Sequence, residues 1–413
     1  VLFVSFERLG ALQIATTLQR HTTLRDDHIL MATGNANALP SSGTVFASTT
    51  YHSLSAVTAG VHAHAHAQPI DLLILDEAHH AAAPTFKRAL ERLIPQCGRV
   101  LSFTATLARS DGADLSWLGP VVYTATHKQL AADGLVANIH YLAIHCQLDA
   151  DFERAMQVLG SHRDASTTGT YVAALNTVKL DVLERIVRME TAEPERNTGL
   201  VFTSNLVVAQ AVQRMLGPSW RVLSGSDALG ATTDHSSHTP LANSKMVDDL
   251  KHGRLRGLVV TSVGEGALDL PGVSFAVAMQ SCAGYSSDLQ RVGRLSRTPR
   301  LTRGADERSD TFRARCVASQ RDCRFYDLVS LGTPEEPAQR ARKRALRDVV
   351  RDCHRMTSIE FRTEMRRYVR HRPALKAAPR AFAERMRRLE VLVKALRYGD
   401  YALSQERAAA ARP

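Results

Sequence analysis

Two adjacent acidic residues stand where a parallel sheet would expose them to a ligand. Asp76 and Glu77 directly follow the apolar run Leu72–Leu75, which has the pattern of a buried strand. Open parallel sheets bind ligands beyond the carboxyl ends of their strands, and both carboxylates would emerge there. In that position an Asp can hold the Mg²⁺ of a nucleotide, and the neighbouring Glu can orient and deprotonate a water molecule. The alternative is a helix that merely begins with acidic residues before His79, since the helix macrodipole favours them there.

Two arginines in the second half of the chain have the spacing needed to bind one anion together. Arg294 and Arg297 lie one helical turn apart in the run Gln290–Arg297, so both guanidinium groups can face the same anion. A guanidinium presents a planar fork of donors to a transferring phosphoryl group. An ordinary basic helix is the alternative, but it does not account for Gln290 or for Gly293, which we expect to allow close packing of the helix.

Small hydroxyl residues follow several of the other apolar runs. Thr104, Ala105 and Thr106 end the strand predicted after the acidic pair and could hydrogen-bond that pair, which would let them report on a bound nucleotide. Hydroxyl groups and backbone amides also suit the phosphates of a nucleic-acid strand. The candidates for that contact are Thr49, Thr50, Thr203, Ser204, Thr261 and Ser262. Asp269 could reach a ribose or an arginine. A plain strand exit explains each of these signals when it is taken alone.

Apolar runs separated by helix-like stretches predict an α/β fold with two parallel sheets. The first set comprises Val1–Val4, Thr44–Ala47, Leu72–Leu75 and Val100–Phe103, and the second comprises Gly199–Phe202, Trp220–Leu223, Gly257–Val260 and Phe275–Ala278. We therefore predict a first lobe over 1–136 and a second lobe over 137–332 with a helical insertion at about 151–190. An Arg-rich helical extension without strands is predicted over 333–413.

The charge of the chain is concentrated at one end. The 413 residues carry a formal charge of +11, and residues 338–413 hold 21 Lys and Arg against 8 Asp and Glu, a net charge of +13, so the remainder carries −2. A basic end of this kind indicates contact with phosphates or with an acidic protein. The same composition would also fit a helical face that is simply exposed to solvent.

Cysteine usage and hydropathy restrict the class of protein. The six cysteines are too sparse for a disulfide framework and lack the paired spacing of zinc sites, which favours a reducing compartment, the nucleus or the cytosol. No window reaches the roughly 18 uncharged apolar residues of a membrane span, so we expect a soluble protein without a membrane partner. The chain begins at Val1 inside an apolar run, and we expect it to be part of a longer protein.

The order and spacing of these motifs resemble those of superfamily 2 helicases, and within them the XPB-type DNA repair helicases, which include the translocase subunit of general transcription factor TFIIH. The resemblance covers nearly all of Val1 to Leu331. It is carried by Leu72–Glu77 with Phe86, Thr104–Arg109, Leu118–Pro120, Asp269–Pro271 and Gln290–Arg294. The Asp-Leu-Pro and Thr-Ala-Thr-Leu-Ala-Arg runs point to this branch rather than to RNA-directed DEAD-box proteins.

The resemblance implies two RecA-like lobes, ATP and Mg²⁺ as cofactors, and ATP-driven translocation along double-stranded DNA in nucleotide excision repair and transcription initiation. By matching positions, Asp76 and Glu77 would serve the metal ion and the hydrolytic water, while Arg294 and Arg297 would contact the γ-phosphate. The other residues expected at the nucleotide are His79, Asp269, Gln290 and Arg291, and Arg109 is expected at the nucleic acid. A nuclear protein that works with other subunits of a repair or transcription complex is also implied.

Two departures from the family pattern bear on activity. No Gly-Lys pair occurs in the sequence, so this chain lacks the Walker A lysine that grips the β- and γ-phosphates, and we expect the chain alone to be inactive. The family's Arg-Glu-Asp loop, which matters for unwinding, is replaced by Arg109-Ser110-Asp111, so translocation is better supported than strand separation. One alternative function is a non-catalytic paralogue that binds DNA or proteins as a scaffold. Another is a restriction-type or viral helicase, which would have the same two-lobed ATPase motor.

Overall fold

In the computed structural model the chain forms two compact units, Val1–Thr124 and Ala125–Pro413. The structure describes residues 1–6, 8–32, 45–55, 70–105, 114–149, 176–192, 197–203, 206–223, 240–261, 272–280, 292–293, 295, 301 and 307–370. The boundary between the units falls before the predicted one at residue 136, because a helix that starts at His127 already belongs to the second unit.

The first unit is built on a five-stranded parallel sheet. Its strands are β1 (Leu2–Ser5), β2 (Ile29–Ala32), β3 (Phe46–Thr50), β4 (Ile70–Leu75) and β5 (Cys97–Ser102), in the sheet order β2-β3-β1-β4-β5. The described helices are α1 (Arg8–His21) and α2 (Pro84–Leu93), with short 3-10 turns at Asp26–His28, Ala78–Ala82, Ile94–Gln96 and Ser116–Leu118. Since β1 pairs with both β3 and β4, the carboxyl ends of these three strands lie side by side.

The second unit contains a seven-stranded sheet whose neighbouring strands all run parallel. Its strands are β6 (Asn138–Cys146), β7 (Thr198–Thr203), β8 (Trp220–Leu223), β9 (Gly257–Thr261), β10 (Val273–Ala278), β11 (Asp322–Ser330) and β12 (Asp352–Thr357), in the sheet order β12-β6-β11-β10-β7-β9-β8. The described helices are α3 (His127–Ala132), α4 (Thr177–Glu190), α5 (Leu206–Leu216), α6 (Pro240–Lys251), α7 (Ser309–Ala318), α8 (Glu335–Leu346) and α9 (Ser358–Arg370). Two parallel α/β units confirm the predicted fold class.

All eight predicted apolar runs overlap strands, and four further strands complete the sheets. The additional strands are β2, β6, β11 and β12. The sequence of β12 is Asp-Cys-His-Arg-Met-Thr, and it lies at the edge of its sheet with most side chains exposed or half-buried. An edge strand needs no continuous apolar run, which explains why hydropathy does not mark it.

Two segments predicted as additions are parts of the second unit itself. The described part of the predicted insertion is mainly α4, whose side chains Leu180, Leu183 and Ile186 are fully buried in the core, while 151–175 lie outside the described residues. The expected strand-free extension from 333 is wrong for the residues described up to 370, because β12 pairs with β6 and Phe361 of α9 enters the same core.

Glycines at the starts of β7 and β9 make room for large rings of the second unit. A Cβ added at Gly199 would come within 2.3 Å of the Phe275 ring, and one at Gly257 would come equally close to the Trp220 ring. Those two rings meet edge to face, with centroids 6.5 Å apart. A side chain at either glycine would therefore displace an aromatic contact in the core of the second unit.

Buried charges fasten α8 to the sheet of the second unit. The Lys179 ammonium of α4 is fully buried and donates to Glu335 Oε2 and to the Met279 carbonyl, both at 2.7 Å. Glu335 Oε2 also accepts from the backbone N–H of Ser330, at 2.8 Å. A second buried pair joins Arg342 of α8 to Asp327 of β11. These contacts tie α4, the end of β10, the end of β11 and α8 to one another.

No helix in the described part of the chain is long and apolar enough to cross a membrane.

Replacement of Lys179 by Met should lower the free energy of unfolding of the second unit by about 3 to 5 kcal/mol, because Glu335 then stays buried without its cation. The measurement is urea denaturation followed by Trp220 fluorescence in a Trp117→Phe background, since the chain has two tryptophans. The matched control is Lys128→Met, which removes an exposed cation 3.7 Å from Asp348 and should change stability by less than about 0.5 kcal/mol. Equal stability of the two variants would contradict the role of the buried pair.

Candidate functional site

The backbone of the acidic pair is held between two neighbouring strands. The N–H of Asp76 donates to the carbonyl of Val4 in β1, at 2.9 Å. On the other side, the backbone N–H of Phe103 donates to the carbonyl of Leu75 at 2.8 Å. The backbone N–H of Ala78 donates in turn to the carbonyl of Phe103, also at 2.8 Å. The pair therefore sits at the carboxyl end of β4, as predicted, with backbone hydrogen bonds on both sides.

Glu77 adopts a strained backbone conformation that turns the chain away from β4. Its φ and ψ are both 49°, and it is the one residue other than glycine with a positive φ in the described part of the chain. The left-handed region disfavours residues with a Cβ, and such strain persists only where the surroundings impose it. The Glu77 N–H donates to Asp76 Oδ1 at 3.0 Å, which fixes the two carboxylates relative to each other.

His79 connects the acidic pair to the next strand. Its side chain is buried, and Nδ1 lies 3.3 Å from Glu77 Oε2 and 3.2 Å from Thr104 Oγ1. The sequence predicted that the hydroxyl residues after β5 would hydrogen-bond the acidic pair. The structure shows a connection through the imidazole, because His79 contacts both Thr104 and Glu77. Ala105 follows directly in the chain.

The electrostatic environment of Asp76 suits a cation. Burial raises the pKa of its carboxyl above the ordinary range, and the neighbouring negative charge of Glu77 raises it further. The backbone N–H of Glu77 and the charge of His79 oppose that rise in pKa. Two carboxylates at close quarters in a half-buried site gain most from a bound positive ion.

The donor atoms of this edge fit Mg²⁺. Asp76 and Glu77 offer hard carboxylate oxygens, which this ion prefers. Among the described residues no group of three or more His, Cys, Asp or Glu side chains could hold a metal ion by itself. Protein sites for Mg²⁺ commonly use one or two carboxylates together with substrate phosphates and water, which matches an acidic pair on its own.

Tyr51, at the end of β3, is a part of this edge that the sequence did not single out. Its side chain is buried, and the charges of Asp76 and Glu77 add to the effect of burial in raising the pKa of its phenol. The only sequence signal was its place directly after the hydroxyl residues of β3, and an aromatic residue there is ordinarily part of the core.

A stack of two rings joins the loops that follow β1 and β4. The Phe6 ring lies parallel to the His80 imidazole, with centroids 3.6 Å apart and planes 8° from parallel. The His52 ring contacts both Phe6 and Phe86, at centroid distances of 5.4 and 5.2 Å. These contacts hold the segment after the acidic pair against the ends of β1 and β3.

The hydroxyl residues predicted to contact nucleic acid are buried wherever the structure describes them. Thr49, Thr50, Thr203 and Thr261 are exposed by 0%, 6%, 0% and 5%. The Thr50 hydroxyl donates to Ser53 Oγ and accepts from the Ser53 N–H, so it shapes the turn after β3. Burial argues against direct contact of these side chains with a phosphate and favours a role in fixing the strand ends that carry the neighbouring loops.

Nine predicted site residues lie outside the described residues. They are Thr106, Arg109, Ser204, Ser262, Asp269, Gln290, Arg291, Arg294 and Arg297. Within the arginine motif, Val292 and Leu295 are fully buried and helical. A Cβ at Gly293 would meet no atom of the described residues within 4 Å, and the residues on both sides of this motif lie outside them, so close packing at Gly293 stays a prediction.

The strain at Glu77 predicts a difference between two truncations of its side chain. Glu77→Gly should unfold with a free energy about 1 kcal/mol higher than Glu77→Ala, because glycine tolerates the left-handed region and alanine does not. Urea denaturation of the first unit, followed by Trp117 fluorescence in a Trp220→Phe background, measures the difference. A Glu77→Ala variant as stable as Glu77→Gly would show that the turn relaxes without strain.

Two protein families match separate parts of the chain. Residues 13–109 match the type III restriction enzyme res subunit, and residues 178–299 match the helicase conserved C-terminal domain. The first match includes the acidic pair with Thr104, and the second includes the arginine motif.

Curated relatives of the chain carry XPB names. A DNA 3'-5' helicase XPB of Kineococcus radiotolerans is 26% identical over 305 residues, which cover 72% of this chain and 47% of the relative. The general transcription and DNA repair factor IIH helicase/translocase subunit XPB of Drosophila melanogaster is 25% identical over 282 residues, covering 67% of this chain and 31% of the relative. The chain thus spans between about a third and a half of the length of these two relatives.

Solved structures share the fold at low sequence identity. The type ISP restriction-modification enzyme LlaBIII bound to DNA has a TM-score of 0.56 at 12% identity, with 88% of this chain and 28% of that chain covered. Dbp5 of S. cerevisiae bound to RNA and ADP BeF3 has a TM-score of 0.55 at 14% identity, with 89% and 80% covered. These likenesses concern the fold alone. The family matches, the named relatives and the two parallel α/β units together support an XPB-type superfamily 2 helicase.

Proposed function

We propose that the protein to which this chain belongs is an ATP- and Mg²⁺-dependent translocase of the XPB type that acts on double-stranded DNA. The observation that carries the proposal is the acidic edge of the first unit. There Asp76 and Glu77 emerge from the end of β4, and His79 lies within 3.3 Å of Glu77 and 3.2 Å of Thr104. A carboxylate for a metal ion, a second carboxylate for water, and a link to the next strand are what a nucleotide-hydrolysing motor needs at this edge.

Each residue of the edge has a distinct part in this proposal. Asp76 would hold Mg²⁺, an ion that supplies positive charge against the phosphates of ATP. Glu77 orients the attacking water and accepts its proton. His79 holds the Glu77 carboxylate in place, and Thr104 senses the position of that imidazole through their contact. Movement of β5 would in this way follow the state of the acidic pair.

The second unit supplies the remaining contacts in the proposal. Arg294 and Arg297 would stabilise the negative charge of the transferring γ-phosphoryl group, with Gln290, Arg291 and Asp269 nearby in the nucleotide site. The loops that follow β3, β7 and β9, together with Arg109, would contact the DNA backbone. Their assignment rests on the matching positions of the family motifs.

The biological setting is proposed from the relatives. The Drosophila relative is named as a subunit of a transcription and DNA repair factor, which supports a nuclear protein that works with other subunits in nucleotide excision repair and transcription initiation. The Kineococcus relative is named simply as a helicase. Translocation is proposed ahead of strand separation, because Ser110 replaces the Glu of the unwinding loop.

A second candidate is a scaffold that binds DNA or proteins without hydrolysing ATP. The observation in its favour is that no Gly-Lys pair occurs in the sequence. The strained Glu77 and its buried His79 count against it, because a scaffold has no need of a costly backbone conformation at this position. Turnover by the full-length protein separates the two functions.

Glu77→Gln in the full-length protein should lower the rate of ATP hydrolysis in the presence of double-stranded DNA by about 100-fold or more, since the amide cannot accept the proton of water. DNA affinity should remain that of the wild type, because the substitution lies at the nucleotide edge. The measurements are phosphate release with and without DNA, and DNA binding by fluorescence anisotropy.

The matched control for this prediction is Glu91→Gln, which makes the same chemical change at an exposed position on α2. It should hydrolyse ATP at the wild-type rate. Undiminished hydrolysis by Glu77→Gln would reject the proposed role of the acidic edge. A wild-type protein that binds DNA without any turnover would establish the scaffold instead.

A further inference from the structure

Tyr51 and Asp76 are attached to consecutive residues of the same central strand. The N–H of Tyr51 donates to the carbonyl of Ser5 at 3.0 Å, and the N–H of Asp76 donates to the carbonyl of Val4 at 2.9 Å. Tyr51 thus follows β3 on one side of β1, and Asp76 follows β4 on the other. Neighbouring strands lie about 4.8 Å apart, so the two backbones are separated by about 10 Å across β1.

The Tyr51 side chain lies in the same apolar cluster as the residues that flank the acidic pair. Leu75, which precedes Asp76, and Ala78, which follows Glu77, both belong to this cluster. The Tyr51 ring packs against Phe86, with centroids 5.5 Å apart. Its phenol is near enough to the pair for the charges of both carboxylates to raise the pKa of the hydroxyl.

The Tyr51 hydroxyl is buried without a hydrogen-bond partner among the described residues. The residue is 1% exposed, and Oη makes no hydrogen bond with any residue that the structure describes. An unsatisfied buried hydroxyl is unfavourable, and phenylalanine would fill the same space without that penalty. Packing therefore explains the ring of Tyr51 but leaves its oxygen unexplained.

We propose that Tyr51 is a positioning residue of the acidic edge, whose hydroxyl donates a hydrogen bond to the Asp76 carboxylate, directly or through one water, when that carboxylate holds a divalent cation. Asp76 Oδ1 already accepts from the Glu77 N–H, so the phenol would orient the carboxylate from the opposite side of the sheet edge. Groups that orient a metal-binding carboxylate in this way strengthen metal binding without touching the ion. This inference deepens the proposed function and rests on its metal site.

The test compares the full-length wild type with Tyr51→Phe, which removes only the hydroxyl. Titration with Mn²⁺ in the presence of a non-hydrolysable ATP analogue and in the absence of DNA should give an affinity about 10-fold lower for the variant. The melting temperature should stay within about 2 °C of the wild type, because the lost oxygen makes no hydrogen bond with a described residue. A role in packing alone would leave the Mn²⁺ affinity unchanged.

The matched control is Tyr141→Phe in the second unit. Its hydroxyl is also buried but donates to Asp327, so this variant should melt about 2 to 4 °C lower and bind Mn²⁺ like the wild type. The two tyrosines thus predict opposite results in the two measurements.

Equal Mn²⁺ affinity of the wild type and Tyr51→Phe would overturn the inference, as would a wild type that does not bind Mn²⁺ at this edge. Loss of Mn²⁺ binding in Asp76→Asn identifies the edge as the site being titrated. The titration needs no turnover, so its result does not depend on ATP hydrolysis. A wild type that binds Mn²⁺ but never hydrolyses ATP would reject the proposed function. The comparison with Tyr51→Phe would still decide this inference.

Discussion

The geometry of the acidic edge depends on the backbone hydrogen bonds that β1 makes on its two sides. One side holds the start of the turn after β3, and the other holds Asp76 at the end of β4. Because β1 is short and buried along its whole length, it cannot shift without moving both neighbours. The edge is thus assembled by a strand that contributes no chemistry of its own. The left-handed turn at Glu77 and the imidazole of His79 then place the second carboxylate against β5.

The second unit is organised around charges that are removed from water. Lys179 and Glu335 join elements more than 150 residues apart in the chain, and Arg342 and Asp327 make a second buried pair close by. Such pairs are weak sources of net stability, because removing charges from water offsets most of their attraction. They do penalise any arrangement that leaves one partner alone. They therefore fix the position of α8 along the sheet more closely than apolar packing alone would.

The sequence identified the parts of the fold that apolar patterning controls. Eight strands and the position of Asp76 and Glu77 follow from runs such as Leu72–Leu75, because a strand buried on both faces must be apolar throughout. β12 was not predictable in this way, since an edge strand tolerates residues such as Asp352 and Arg355. The packing of α4 was not predictable either, because its amphipathic pattern does not reveal which surface it covers.

The candidate site was predictable in its residue types but not in its connections. An acidic pair after a buried strand is visible in the sequence, whereas the bridge through His79 depends on the turn made by Glu77. The burial of Thr49 and Thr203 was equally hidden, because a hydroxyl at a strand end can face either solvent or the core. Tyr51 had no signal of its own, since its significance comes from a neighbour across β1.

The place of β6 in its sheet has a consequence for how the protein is made. β6 is the first strand of the second unit to leave the ribosome, yet both of its neighbours, β11 and β12, are encoded far downstream, as the 212-residue separation of His140 and Asp352 shows. Contacts between such distant residues form slowly. During synthesis β6 therefore has two open edges until β11 is complete at Ser330 and one open edge until β12 is complete at Thr357, and for that interval it is a target for chaperones and for aggregation. A chain ended at residue 299, where the helicase C-terminal match stops, would keep β6 in that state permanently.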